Sequence, residues 1–290
     1  SDFEKKITSR SRVVLLQHSF GITPKQRNNI IRKAQSSGIL VVEDLAHGFD
    51  EKVFKEDVKT IKLLSFGRSK NISSVFGGAI ALTDNDLIHW FKNTEKTLKY
   101  PTFGFIYRLL LYKAFAPFIR STYDWGLGKT LHKICTIIGL FPAEISALEK
   151  EGTYDNLFEK AYPNVLATLL LKQIKYFDLK LKKKYDAIEL YETCFHTFNG
   201  HPSHTLCRYP ALIQNRDKVI KSLSKHNIFL GKWYDQPVAP KSVDLKTVSY
   251  KSGSCPTAET ICKQIINLPV NVRTRQARRI ITLIKKYESN

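Results

Sequence analysis

Ser65 and Lys70, five residues apart, sit in a stretch suited to nucleophilic chemistry: 61–83 reads IKLLSFGRSKNISSVFGGAIALT. Ile61, Leu63 and Leu64 read as a buried strand, and a second strand follows the glycine pair Gly77-Gly78. A lysine held between rigid strands is partly desolvated, which lowers its pKa and makes the neutral amine available as a nucleophile. An exposed loop lysine would have the same neighbours in sequence, so this stretch alone leaves both readings open. Upstream, VVEDLAH places a carboxylate and an imidazole, Asp44 and His47, three residues apart.

The elements that must position these groups are legible as periodicity. Residues 12–18 (RVVLLQH) form a continuous apolar run, as a buried parallel strand does. Thr23-Pro24 predicts a helix start, with Thr23 as cap and Pro24 at the first helical position. That helix runs through Ile30, Ile31 and Ala34 to Gly38, and a second strand, 39–42, ends in Glu43-Asp44. Strand, helix and strand within about 30 residues is a βαβ unit, hence a parallel sheet with a right-handed crossover. Ligands of open parallel sheets bind beyond the carboxyl ends of the strands. Asp44 lies at such an end, His47 just beyond it, and Ser65 ends the next strand, so four reactive groups converge on one edge. Singly, Asp44 reads equally as a turn or cap, Ser65 as a turn and His47 as a surface histidine. Their shared topology is what marks a site.

The pattern ITSRSRVVLLQHSFG…GILVVEDLAHG…LLSFGRSKNISSVFGGAIALTD resembles the pyridoxal-phosphate-dependent aminotransferases that act on nucleotide-linked keto-sugars, the DegT/DnrJ/EryC/StrS type. The match is closest over 7–84 and continues more weakly over 149–181 and 258–269. The resemblance implies the aspartate-aminotransferase fold, fold type I of the pyridoxal 5'-phosphate transferases: an α/β fold with a mostly parallel sheet, flanking helices and a smaller C-terminal α/β domain. Lys70 then corresponds to the lysine that forms the Schiff base with the cofactor and relays the proton. Asp44 corresponds to the carboxylate paired with the pyridine nitrogen, where it keeps the ring an electron sink. His47 corresponds to the side chain near the ring hydroxyl, and Ser65 to a hydroxyl donor to the cofactor phosphate. Gly77 and Gly78 are expected to permit close backbone approach or a sharp turn. Relatives that dehydrate sugars carry histidine in place of the Schiff-base lysine, so Lys70 favours transamination. Asn164, in AYPNVLA, corresponds to an asparagine that reaches a cofactor phosphate in the neighbouring subunit; as a plain alternative it is a helix cap after Pro163.

The chain has 290 residues, 43% hydrophobic and 25% charged, which is ordinary globular composition. It contains no methionine and opens on SDFEKKIT, so it reads as part of a longer chain. Full-length relatives carry, ahead of the region equivalent to Ile7, a Gly-Thr/Ser phosphate loop at a helix N-terminus, where free N–H groups favour anions. The resemblance implies that this loop lies outside the present residues and that these alone hold cofactor poorly. Five cysteines (Cys135, Cys194, Cys207, Cys255 and Cys262), none paired as C-x-x-C, argue against a zinc knuckle and a disulfide framework and fit a reducing cytoplasm. The formal charge of +20 suits a pyrophosphate-bearing substrate or an anionic membrane face. No nucleic-acid module is recognisable, and nucleic acid is disfavoured as a partner.

Three segments follow: 1–98 as the remaining cofactor domain, 99–148 as an apolar, basic helical insert, and 149–290 as a long helix with the small domain. Within 100–142, Arg108, Lys113 and Arg120 interrupt the apolar run, so it lacks the roughly 20 uncharged residues of a spanning helix. Basic, aromatic and amphipathic, the insert reads as a lid or oligomer contact, or as a peripheral membrane-surface helix. One long helix is predicted over 165–195, with the Lys182–Lys184 run as a solvated face. Beyond it, strands are expected over 206–213 and 228–234, and helices over 216–226, 257–265 and 274–287. The resemblance implies a homodimer acting on a sugar nucleotide, with glutamate as amino donor. The contrasting reading is a catalytically inactive relative, or a basic membrane-surface binding protein that keeps only the fold.

Overall fold

In chain order the elements are α1 (Asp2–Lys6), β1 (Val13–Gln17), α2 (Arg27–Ser36), β2 (Leu40–Asp44), α3 (Glu51–Lys55), β3 (Ile61–Ser65), β4 (Gly78–Ala81), α4 (Asn85–Thr97), α5 (Phe103–Ser121), α6 (Leu127–Ile137), α7 (Ala147–Lys150), α8 (Asn164–Ile174), α9 (Phe177–Phe195), β5 (Tyr209–Leu212), α10 (Arg216–Ser224), α11 (Pro256–Gln264), β6 (Ile265–Leu268) and α12 (Thr274–Glu288). This computed structural model describes residues 2–48, 51–56, 59–123, 125–143, 145–198, 205–239, 243, 245–246 and 248–288. The chain divides into two compact units: 1–106 with 159–175 and 205–207, and 107–158 with 176–204 and 208–290.

The first unit is built on a four-stranded sheet of order β1-β2-β3-β4. The β1–β2 and β2–β3 pairs are parallel and β3–β4 is antiparallel, so the sheet is mostly parallel as expected. The register sets Gln17 beside Asp44, Asp44 beside Leu63, and Ser65 beside Gly78. Helix α2 covers the sheet because Ile31 and Ala34, three apart on one helix face, pack with Ile39, Val41, Val14 and Leu16. Burying one such isoleucine stabilises the unit by about 2 kcal/mol. Asp84 caps α4, its carboxylate accepting from the N–H groups of Asp86 and Leu87 at 3.0 Å each.

The second unit holds α6, α7, α9 and the small two-stranded sheet, in which β5 and β6 pair antiparallel. Helix α12 buries Ala277, Ile280, Ile281 and Ile284, one stripe at helical spacing, and packs against α9 and α10. The Tyr209 hydroxyl donates to Glu192 at 2.6 Å, satisfying a carboxylate that is only 4% exposed.

Several sequence expectations shift. Helix α2 begins at Arg27, not at Thr23-Pro24, because a turn closed by the Arg27 N–H on the Pro24 carbonyl precedes it. The single helix over 165–195 is two, interrupted at Lys175–Tyr176, where Tyr176 leaves helical geometry at φ −113°, ψ 18°. The strand over 228–234 is reduced to a bridge of Gly231 to Asn267, and the second strand of the small sheet is β6 instead.

Candidate functional site

Asp44, His47, Ser65 and Lys70 all belong to the first unit, at the carboxyl ends of β2 and β3 and in the segments that follow. The Asp44 carboxylate is held from two sides: Gln17 Nε2 donates to Oδ2 at 3.1 Å and the Ala46 N–H to Oδ1 at 2.9 Å. Gln17 can do this because the parallel register sets it beside Asp44. A carboxylate offers about four lone-pair sites, so two bonds fix its orientation and leave acceptor capacity.

The turn 45–48 folds His47 back toward β1. There its Nδ1 accepts the Phe20 N–H at 3.2 Å, which places the proton of the neutral ring on Nε2. Burial and, less strongly, the Lys70 ammonium push the His47 pKa down to about 4 against the opposing Asp44 carboxylate. One imidazole therefore feels both other charged groups of the cluster. His47 is neutral in the folded chain until the pH falls toward 4, whereas an unfolded histidine protonates near 6.5. The stability this supplies is complete above pH 6.5 and is lost as pH falls from there to about 4. His47→Gln is expected to remove that loss, about 1–2 kcal/mol for a partly exposed ring. Urea midpoints of both chains at neutral and acid pH check it; equal acid sensitivity overturns it.

Lys70 is partly buried and lies in the turn after β3, its N–H donating to the Gly67 carbonyl at 3.2 Å. A methyl group built on Gly67 would have Ser65 Oγ at 3.8 Å and Lys70 Cγ at 4.0 Å as its neighbours, so Ser65, Gly67 and Lys70 lie close together. A neutral imidazole N–H donor, an oriented carboxylate, a hydroxyl and an amine form a donor set that fits pyridoxal phosphate.

The segment after Lys70 is braced from a distance. Gln173 on α8 clamps Ser73, accepting its N–H at 3.2 Å and donating to its carbonyl at 2.7 Å. Ser74, fully buried, donates to the Phe76 carbonyl at 2.9 Å and meets the Tyr162 hydroxyl. Asn71 Nδ2 donates to the Thr205 carbonyl at 2.5 Å. Val75 takes a positive φ of 78° within this bracing, a conformation a β-branched residue adopts only when its surroundings impose it. Both glycines of the pair are required by close approach. A Cβ on Gly77 would lie 2.3 Å from the Tyr162 ring, and one on Gly78 would lie 2.3 Å from the Leu64 carbonyl oxygen. Asn164 stands elsewhere. It is the exposed first residue of α8, with Pro163 in the cap position, and its N–H donates to the Tyr100 hydroxyl at 3.3 Å.

On the opposite face of β2 from Asp44, Glu43 is fully buried and accepts from Arg27, His18 and Thr60. Sequence reading placed Glu43 at the strand end and gave it no role. Gln17, Tyr162 and Gln173 also escaped it; of these, only Gln17 had a signal, its position at the end of β1 beside Asp44.

The chain belongs to the DegT/DnrJ/EryC1/StrS aminotransferase family, whose pattern matches residues 1–99 and 158–285. It is 24% identical to the uncharacterized protein MJ1066 of Methanocaldococcus jannaschii, over 93% of this chain and 64% of that protein. It is 32% identical to the GDP-perosamine synthase of Escherichia coli O157:H7, over 30% of this chain and 24% of the synthase. The chain thus spans less than two thirds of the length of these curated relatives. Helicobacter pylori PseC, an aminotransferase involved in the biosynthesis of pseudoaminic acid, superposes with a TM-score of 0.66 at 15% identity, covering 99% of this chain and 69% of PseC, and so has a similar fold.

Proposed function

We propose that this chain is the catalytic portion of a pyridoxal-phosphate-dependent aminotransferase that places an amino group on a nucleotide-linked keto-sugar, with glutamate as donor. The observation that carries the reading is the cluster at the ends of β2 and β3, in which Gln17 and the Ala46 N–H orient the Asp44 carboxylate, the Phe20 N–H fixes His47, and Ser65 and Lys70 follow along the chain. Pyridoxal phosphate, when bound, carries the amino group between donor and acceptor and takes up the electron pair left on the reacting carbon. Lys70 is the residue that would bond the cofactor and move the proton at that carbon. Asp44, oriented by Gln17 and Ala46, would hold the pyridine nitrogen. His47 would donate through Nε2 to the ring hydroxyl, and Ser65 would donate to the phosphate. Asn164 would serve the phosphate of a neighbouring subunit, which makes the active form a homodimer; its exposure on α8 supports this. The +20 charge supports a substrate bearing a pyrophosphate.

Incubation with pyridoxal phosphate, ¹⁵N-glutamate and keto-sugars linked to GDP, UDP or TDP tests the assignment. Mass spectrometry is expected to find ¹⁵N on the sugar and 2-oxoglutarate in equal amount. A cofactor-loaded protein that transfers ¹⁵N to none of them overturns the acceptor and donor assignment.

A further inference from the structure

Residues 66–77 join β3 to β4 and carry Lys70. The base of this loop closes on itself. The Phe66 N–H donates to the Gly77 carbonyl at 2.8 Å, the Ser74 N–H to the Phe66 carbonyl at 3.1 Å, and Gly67 bridges to Val75. Between Gly67 and Val75 the backbone runs through turns and bends, in neither helix nor strand. Fixing such a segment costs conformational entropy, so something outside it must hold it. Gln173 does so with its whole amide. Its Oε1 accepts the Ser73 N–H at 3.2 Å, and its two Nε2 hydrogens go to the carbonyls of Ser73 at 2.7 Å and Leu169 at 3.0 Å. The Leu169 bond, one turn back on α8, fixes the side chain on its own helix. The two bonds to Ser73 then tie the loop backbone, three residues beyond Lys70, to that helix. Tyr162 adds a second hold, its hydroxyl meeting Ser74 and its ring lying over Gly77.

We propose that Gln173 is a positioning residue for Lys70, with Tyr162 as its second hold. This rests on the assignment of Lys70 as the lysine that bonds the cofactor. Ser73 is only partly buried, so water would satisfy its N–H and carbonyl nearly as well as an amide does. What water does not supply is a fixed place for the chain. Place matters at a reacting amine, because a displacement of about 1 Å costs on the order of a hundredfold in rate. Val75, at a positive φ of 78° in the same bracing, shows how firmly this backbone is held. Gln173 and Tyr162 act on Lys70 through that backbone.

Brief exposure of the full chain to pyridoxal phosphate, then borohydride and peptide mass spectrometry, reads the placement of the amine without turnover. In the parent, Lys70 is expected to be labelled ahead of the exposed lysines. Gln173→Met keeps the length of the side chain and removes both bonds to Ser73. It is expected to lower labelling of Lys70, relative to those lysines, by about tenfold. Tyr162→Phe keeps the ring beside Gly77 and removes only the hydroxyl; about threefold is expected. Ile31→Val, which loosens α2 from the sheet and leaves the loop alone, controls for stability and should label as the parent does. In turnover the two loop variants are expected to lower kcat with KM near that of the parent. One readout needs no cofactor: the Lys70 ammonium helps hold the His47 pKa down, so the His47 NMR titration should move up in Gln173→Met. Should Gln173→Met not fold, Tyr162→Phe carries the test. Lys70 unlabelled in the parent removes the assignment of Lys70 and this inference with it. Lys70 labelled in the loop variants as in the parent, or labelled as weakly in Ile31→Val, overturns the inference alone.

Discussion

If Lys70 has the proposed role, Lys70→Ala is expected to lower amino transfer by about ten-thousandfold or more, because one side chain would then supply both the nucleophile and the proton relay. Lys70→Arg should be nearly as impaired: a guanidinium keeps the positive charge but is never deprotonated at working pH, so it can neither bond a carbonyl carbon nor accept a proton. Loss of activity alone would not distinguish chemistry from folding, and two further readouts do. Borohydride reduction in the presence of pyridoxal phosphate is expected to fix the cofactor on the peptide containing Lys70, and on no peptide of Lys70→Ala. The second readout is electrostatic and independent of cofactor. His47 titrates at about 4 partly because the Lys70 ammonium opposes its protonation. Removing that ammonium raises the His47 pKa, visible as a shift in its imidazole NMR titration, while Lys70→Arg leaves it low. Label retained on another lysine in Lys70→Ala would sink the assignment of this residue.

Much of this site could be read from the chain because its logic is local. Apolar runs gave the strand ends, the βαβ rule gave their parallel order, and the carboxyl-end rule put Asp44, His47, Ser65 and Lys70 on one edge. What stayed hidden depends on register or on distant partners. Gln17 matters only once its pairing with Asp44 is known. Gln173 and Tyr162 lie far along the chain from the Ser73–Ser74 turn that they brace, and no periodicity links them. The break between α8 and α9 carries neither glycine nor proline, and the amphipathic pattern runs across it. Strand β6 follows α11 with no turn residue between, so its first residue, Ile265, reads as the helix end and the rest of the strand goes unmarked. Thr23-Pro24 has the composition of a helix start, yet tertiary context delays the helix to Arg27.

The least legible feature has the second largest expected effect: Glu43→Ala should destabilise the first unit by about 3 kcal/mol or more. Glu43 has no exposed surface and accepts from Arg27 Nε at 2.5 Å, Arg27 Nη2 at 2.9 Å, Thr60 Oγ1 at 2.6 Å and His18 Nε2 at 3.0 Å. Burial alone would raise its pKa; hydrogen bonds from His18, Arg27 and Thr60, with the Arg27 charge, instead hold it down at about 2. Truncation leaves the Arg27 guanidinium, 3% exposed, with the more exposed Glu56 as its one ion-pair partner among the described residues. The cost is that of an under-compensated buried cation and not the worth of the pair. Glu43→Leu/Arg27→Met, which removes both charges, is therefore expected to recover most of the loss. Acid acts on the same group. Stability contributed by the ionised carboxylate is complete above its ordinary value of 4.5 and lost as pH falls toward 2. Glu43→Gln should flatten the pH dependence in that window and leave the higher one, set by His47, in place. The effect reaches the site because Glu43 and Asp44 are adjacent on β2 and point to opposite faces. Thermal unfolding of the single and double variants decides it: a single variant as stable as the parent, or a double variant no better than the single, would show that this network does not anchor the strand end carrying Asp44.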